Sequence, residues 1–202
     1  MNIHQKPYYY LITKEEEIIL DDIVLNLYND YKLSFDSEPT FDLKKFETFQ
    51  HYSDTKILSS INFNNLFKIL IINVEHHFIG GRHGDSIHCE NQILGIKTLE
   101  KDCGKILIRE ENYFDKIFEF FNKTEIDFSD DKEFSDRFFV LADNENNAKK
   151  FLNNETKKAL TEIPTYENFI LEISNNELII GNKKPINKIN FNQIVSFLKN
   201  NL

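Results

Sequence analysis

Residues Phe67–Ile79 constrain this chain more than any other stretch. The run contains Ile69, Leu70, Ile71, Ile72, Val74, Phe78 and Ile79. β-Branched and aromatic residues of this kind fit a pleated, partly buried surface. Gly80, Gly81 and Gly84 follow, and a second such run, Asp85–Ile93, comes next. Two runs across a glycine-rich connection predict an antiparallel hairpin.

The rest of the chain adds to that hairpin. Met1–Ile12 reads as one extended lead-in. Thr13 and Glu16 have capping-box spacing, and Ile18, Ile19, Ile23, Leu25, Leu27 and Tyr31 follow it at helical intervals. This predicts an amphipathic helix over Lys14–Tyr31 with acidic residues at its start. Ser34–Pro39 reads as a connector, Lys44–Phe49 as a short helix and His51–Ser60 as a loop or short strand. Further strands are predicted at Lys105–Arg109, Phe138–Ala142, Phe169–Ser174 and Glu177–Gly181, with a short extended piece at Glu125–Phe128. Asn175-Asn176 is a hairpin turn dipeptide. Helices are predicted at Tyr113–Phe121, Glu145–Leu152, Glu155–Ile163 and Asn190–Leu202, the last amphipathic. Strands and helices in no strict alternation give an α+β fold: a mostly antiparallel sheet with flanking helices and amphipathic helices at both ends. No repeat or linker divides the chain. It reads as a single domain over 1–202, with a helical N-terminal portion, 1–60, packed on an α+β core, 61–202.

Composition bounds the function. Trp is absent and Met occurs once, so the 19 Phe, with Ile and Leu, build the core. The net charge of −9 gives no general attraction to phosphate backbones, and no basic run with interleaved aromatics occurs, which argues against nucleic-acid binding. The same charge suits a basic protein partner. No secretory leader is evident, and no apolar run approaches the roughly 20 residues that cross a bilayer. A soluble, cytoplasmic protein is expected, with Cys89 and Cys103 as reduced thiols; in an oxidising compartment the two would be candidates to pair.

The predicted hairpin gathers four of the six His. Strand parity places His76 with the apolar face and His77 with Glu75 on the other. With the turn centred on Arg82-His83, His77 lies opposite His88 and Glu75 opposite Glu90. Two imidazoles and two carboxylates on one face would form a divalent-metal site made of His77, His88, Glu75 and Glu90. A different register dissolves it. The alternative is a set of ordinary sheet residues, with His76 and Cys89 directed to the core. No HExxH, CxxC, GxSxG or glycine-rich phosphate loop occurs, so no cofactor is called for.

A second pattern spans Glu125-Ile126-Asp127-Phe128, Phe134-Ser135-Asp136-Arg137-Phe138-Phe139-Val140, Asp143-Asn144 and Phe151-Leu152. Asp143 is placed to cap the helix near Glu145. Arg137 is placed to form an ion pair that fixes the turn, near Asp136 and Asp127. The pattern resembles a widespread family of uncharacterised bacterial proteins, over about Tyr31–Gly181. Many members look membrane-anchored by preceding apolar helices; here the leading helix is acidic. The resemblance implies a fold and no catalytic residues. Two functional readings follow. One is a non-catalytic binding or interaction domain, immunity-like or accessory. The other is a metal-binding protein or metal-dependent enzyme centred on the histidine hairpin.

Overall fold

The computed structural model describes residues 11–28, 31–36, 39–80, 84–110, 124–164 and 169–200. The predicted lead-in Met1–Ile12, for all but its last two residues, and the predicted helix Tyr113–Phe121 lie outside them. Among the described residues nine strands form one sheet: β1 (Leu33–Asp36), β2 (Asp54–Phe63), β3 (Phe67–Phe78), β4 (Ser86–Thr98), β5 (Lys105–Glu110), β6 (Thr124–Glu125), β7 (Phe138–Ala142), β8 (Phe169–Ser174) and β9 (Glu177–Asn182). Their order is β1-β2-β3-β4-β9-β8-β5-β7-β6, and every neighbouring pair is antiparallel. The helices are α1 (Lys14–Leu27), α2 (Glu47–Gln50), α3 (Lys132–Ser135), α4 (Glu145–Phe151), α5 (Asn154–Thr161) and α6 (Lys188–Asn200). This is the mostly antiparallel α+β arrangement expected, with helices near both ends of the chain.

The two faces of the sheet take different covers. Phe67, Ile69 and Ile71 of β3 join Leu20 and Ile23 of α1 and Phe191, Ile194 and Leu198 of α6 in one core. Leu70, Ile72 and Val74 point the other way, onto Leu43, Phe46, Phe49 and Tyr52. A strand buried on both faces loses its apolar alternation, which is why β3 reads as a continuous run. Gly95 of β4 lets α6 lie close: a Cβ there would stand 2.5 Å from Ile194 Cγ2 and 2.6 Å from Leu198 Cδ1.

Helix α1 begins as predicted. Thr13 Oγ1 accepts from the Glu16 amide at 3.2 Å, and Glu16 Oε2 accepts from the Thr13 amide at 2.9 Å. It ends at Leu27 rather than Tyr31, because the Tyr31 ring packs edge-on against Phe63 and Phe67. Among the described residues of 1–60, strands stand beside the helices. Ser34–Pro39 holds most of β1, and His51–Ser60 opens the ten-residue β2. Ser59 and Ser60 are buried there, and a register shift falls between Ile57 and Ser59, so neither polarity nor alternation marks the strand. The turn into β3 uses Asn64 and Asn65 with φ of 50° and 59°, the left-handed pair that a tight hairpin requires.

The second sequence pattern proves to be packing. Phe128, Phe134 and Phe138 are buried and form consecutive ring contacts with centroids 5.3 and 4.8 Å apart. Ser135 Oγ accepts from the Phe128 amide at 3.0 Å and donates to its carbonyl at 3.1 Å. Two expectations are corrected. Asn144, not Asp143, caps α4, accepting from the Asn147 amide at 3.1 Å. Arg137 pairs with Glu110 at 3.1 Å and donates to the carbonyls of Thr161 and Ile163, so it fastens the end of α5 rather than its own turn.

Candidate functional site: the projecting β3–β4 hairpin

The hairpin outruns its neighbours. β2 pairs with β3 only as far as Asp54 opposite Glu75, and β9 pairs with β4 only over Leu94–Thr98. The Ser53 hydroxyl adds one more contact, accepting from the His77 amide at 2.9 Å. Beyond these points β3 and β4 continue as a two-stranded ribbon to Phe78 opposite Ser86.

The register is one residue away from the expected one. His76 lies opposite His88, His77 opposite Ile87, Glu75 opposite Cys89 and Val74 opposite Glu90. Directly paired residues share a face. His77 and Glu75 therefore stand on one face and His88 and Glu90 on the other, and the four-residue metal site is not assembled. Among the described residues no group of three or more His, Cys, Asp or Glu is placed to hold a metal ion. The cause lies deeper in the sheet. Asn73 and Asn91 are cross-strand partners, buried, with Asn73 Nδ2 donating to Asn91 Oδ1 at 2.9 Å. Asn91 Nδ2 in turn donates to Glu16 Oε2 at 2.9 Å and to the Leu11 carbonyl at 2.7 Å. A slip by one residue would strand these buried amides.

Each histidine has its own surroundings. His77 Nε2 lies 3.9 Å from Asp85, and His88 Nε2 lies 3.8 Å from Glu90; these are loose, exposed contacts of the kind that add little to stability. His76 is half-buried, its ring 4.5 Å from that of Tyr52 and 5.9 Å from that of Phe78. Phe49 and Tyr52 are 5.8 Å apart. A row of rings thus leads from the core through Phe49, Tyr52 and His76 to Phe78, which is 55% exposed. Ile79 and Ile87, also at the tip, are 86% and 62% exposed. Cys89, expected toward the core, is exposed, because it lies beyond the reach of β9 on the ribbon. Its paired neighbour is a carboxylate, Glu75, and no directly paired imidazole stands ready as its base. The tip presents apolar side chains on a ribbon anchored in the core. Parity reasoning missed this, although Phe78, Ile79 and Ile87 beside the glycines are its signal.

A concavity of about 840 Å³ lies elsewhere, among Phe128, Asp130, Lys149, Leu152, Asn153 and Lys157. Its two lysines are held by Glu145 at 2.7 Å and Asp131 at 2.8 Å. Both cations are thus already paired.

The class of protein is thus an α+β domain built on one antiparallel sheet, with a protruding central hairpin. A solved structure of similar fold is the mycobacterial trehalose monomycolate transport factor A, TtfA, with a TM-score of 0.61 and 9% sequence identity, covering 93% of this chain and 92% of that one. The likeness is one of fold. No family profile matches the sequence, and no curated protein sequence matches it. Among the described residues, no helix is long and apolar enough to cross a membrane.

Proposed function

We propose that this protein is a non-catalytic interaction domain, accessory or immunity-like, that grips a protein partner with the tip of the β3–β4 hairpin. One observation carries the reading: a ribbon that extends past the strands on both sides and presents Phe78, Ile79 and Ile87 to solvent. Apolar side chains on both faces of a projecting ribbon favour contact with another surface. The net charge of −9 favours a basic partner. Two unpaired cysteines support a reducing, cytoplasmic setting. The resemblance over Glu125–Leu152 supports membership of a family of uncharacterised bacterial proteins, here in a soluble form. The mycobacterial structure of similar fold is described as a transport factor, and we extend to this chain only the idea of an accessory protein that acts by contact.

The test is site-specific photo-crosslinking in the source organism. A crosslinker at Phe78 or Ile79 is expected to trap a discrete product that Ile87→Asp abolishes. Equal yields of the same product from the tip and from Lys158, on α5, would overturn the reading.

A further inference from the structure

The outer face of α1 carries an apolar stripe that no described residue buries. Ile18, Leu25 and Tyr28 are 68%, 72% and 63% exposed, while Leu20 and Ile23 of the same helix are buried. At 3.6 residues per turn, Ile18 and Leu25 point within about 20° of one another, about 10 Å apart along the axis, and Tyr28 follows almost one turn later. Single exposed apolar residues are ordinary. Ile18, Leu25 and Tyr28, with Asp21 at the remaining seam position, make a mixed apolar and acidic seam of the kind a second helix packs into. Glu15 and Asp22 flank this seam on one side, and Asp21 stands within it, between Leu25 and Tyr28 in angle, all exposed. The helix holds Glu15, Glu16, Glu17, Asp21 and Asp22 against Lys14, its one cation. A cation is already seated on this rim: Lys188 of α6 bonds Asp22.

We infer that this face of α1 docks a basic amphipathic helix of a partner protein. Its apolar side would cover Ile18, Leu25 and Tyr28, and its Lys or Arg residues would pair with Glu15 at the rim and Asp21 within the seam. Charge decides against self-association. A second copy of the chain would press one acidic rim against another, each on a molecule of net charge −9. This surface is separate from the hairpin tip, so the inference stands or falls independently of the tip.

The probe is a labelled peptide of about 18 residues, five helical turns, made of Leu and Lys in an amphipathic order, with a scrambled peptide of identical composition. The full chain is titrated against both by fluorescence anisotropy at low and high salt. The ordered peptide is expected to bind at least about tenfold more tightly than the scrambled one. Ile18→Ser with Leu25→Ser is expected to lose about tenfold or more, and Glu15→Lys with Asp21→Lys to weaken binding and flatten its salt dependence. Phe78→Ser, on the hairpin, is expected to leave it unchanged. These side chains are exposed, and circular dichroism checks that the variants fold. Equal binding of the scrambled peptide, or binding by the α1 variants equal to that of the parent chain, would overturn the inference. So would a dimer in sedimentation that Leu25→Ser dissociates, since the face would then belong to a second copy.

Discussion

The carboxylate of Glu172 accepts two hydrogen bonds from Thr48, one from its amide at 3.0 Å and one from its hydroxyl at 2.9 Å. The Glu47 amide adds a third at 2.7 Å. Both residues are buried, 125 and 124 positions from Glu172 in the chain. One side chain of β8 thus holds the start of α2 on the sheet. Glu172→Ala leaves two amides and a hydroxyl buried without that acceptor and is expected to cost about 3 kcal/mol, whereas Thr48→Val removes one bond and costs about 1 kcal/mol. Urea unfolding of the two variants measures the difference.

Asp131 accepts from Lys157, whose side chain is buried beneath Phe128 and Phe134. That hydrogen bond, with a second from the Phe134 amide, holds the Asp131 carboxyl below its ordinary value. A carboxyl depressed in the folded state stabilises above its unfolded value, near 4, and loses that stabilisation as pH falls through the lower folded value. Asp131→Asn is expected to lower stability by about 1 kcal/mol at neutral pH, because the pair is partly exposed. The two proteins should converge in acid. Urea midpoints from pH 2 to 7 check the sign.

Gly95 is required by the approach of α6. Gly95→Ala is expected to cost about 2 kcal/mol through overpacking against Ile194 and Leu198. Combined with Ile194→Ala, part of that cost should disappear. A double-mutant cycle with coupling below about 0.5 kcal/mol would contradict the contact.

The register of the hairpin is testable directly. In a chain with Cys89→Ser and Cys103→Ser, His76→Cys with His88→Cys is expected to oxidise to a disulfide, because these positions are directly paired. His77→Cys with His88→Cys is expected to stay reduced, its side chains on opposite faces. Thiol titration after mild oxidation separates the two registers.

The native thiols should differ in reactivity. Burial, followed by the charge of Asp102, pushes the Cys103 thiol up, while Cys89 is exposed. Iodoacetamide at neutral pH is expected to modify Cys89 several-fold faster than Cys103, because the thiolate is the reactive form and access is greater. Peptide mapping over time reads the order.

Much of the fold was legible. Phe138–Ala142 and Phe169–Ser174 appear with the predicted ends, and the Thr13–Glu16 cap and the Asn175-Asn176 turn are where spacing placed them. These signals are local: a period, a cap, a turn residue. β2 was legible only as a loop or short strand, because its buried Ser59 and Ser60 look like loop residues until two strands flank them. The cap at Asn144 and the reach of Arg137 to Glu110 were missed for a related reason. Asp143 and Asn144 both carry a capping oxygen, several acids could meet one guanidinium, and only packing chooses between them.

The candidate site divides along the same line. Sequence alone determined that a hairpin lies between Phe67 and Ile93, that it carries histidines and glycines, and that the chain is acidic. It did not determine which residue faces which. A strand has a period of two, so a shift of one residue exchanges every neighbour and moves His88 from the side of His77 to that of His76. The buried bond between Asn73 and Asn91 made that choice. How far β2 and β9 reach along the hairpin left Phe78, Ile79 and Ile87 in solvent. Both are long-range facts, set by contacts between elements, and no local pattern in the chain encodes them.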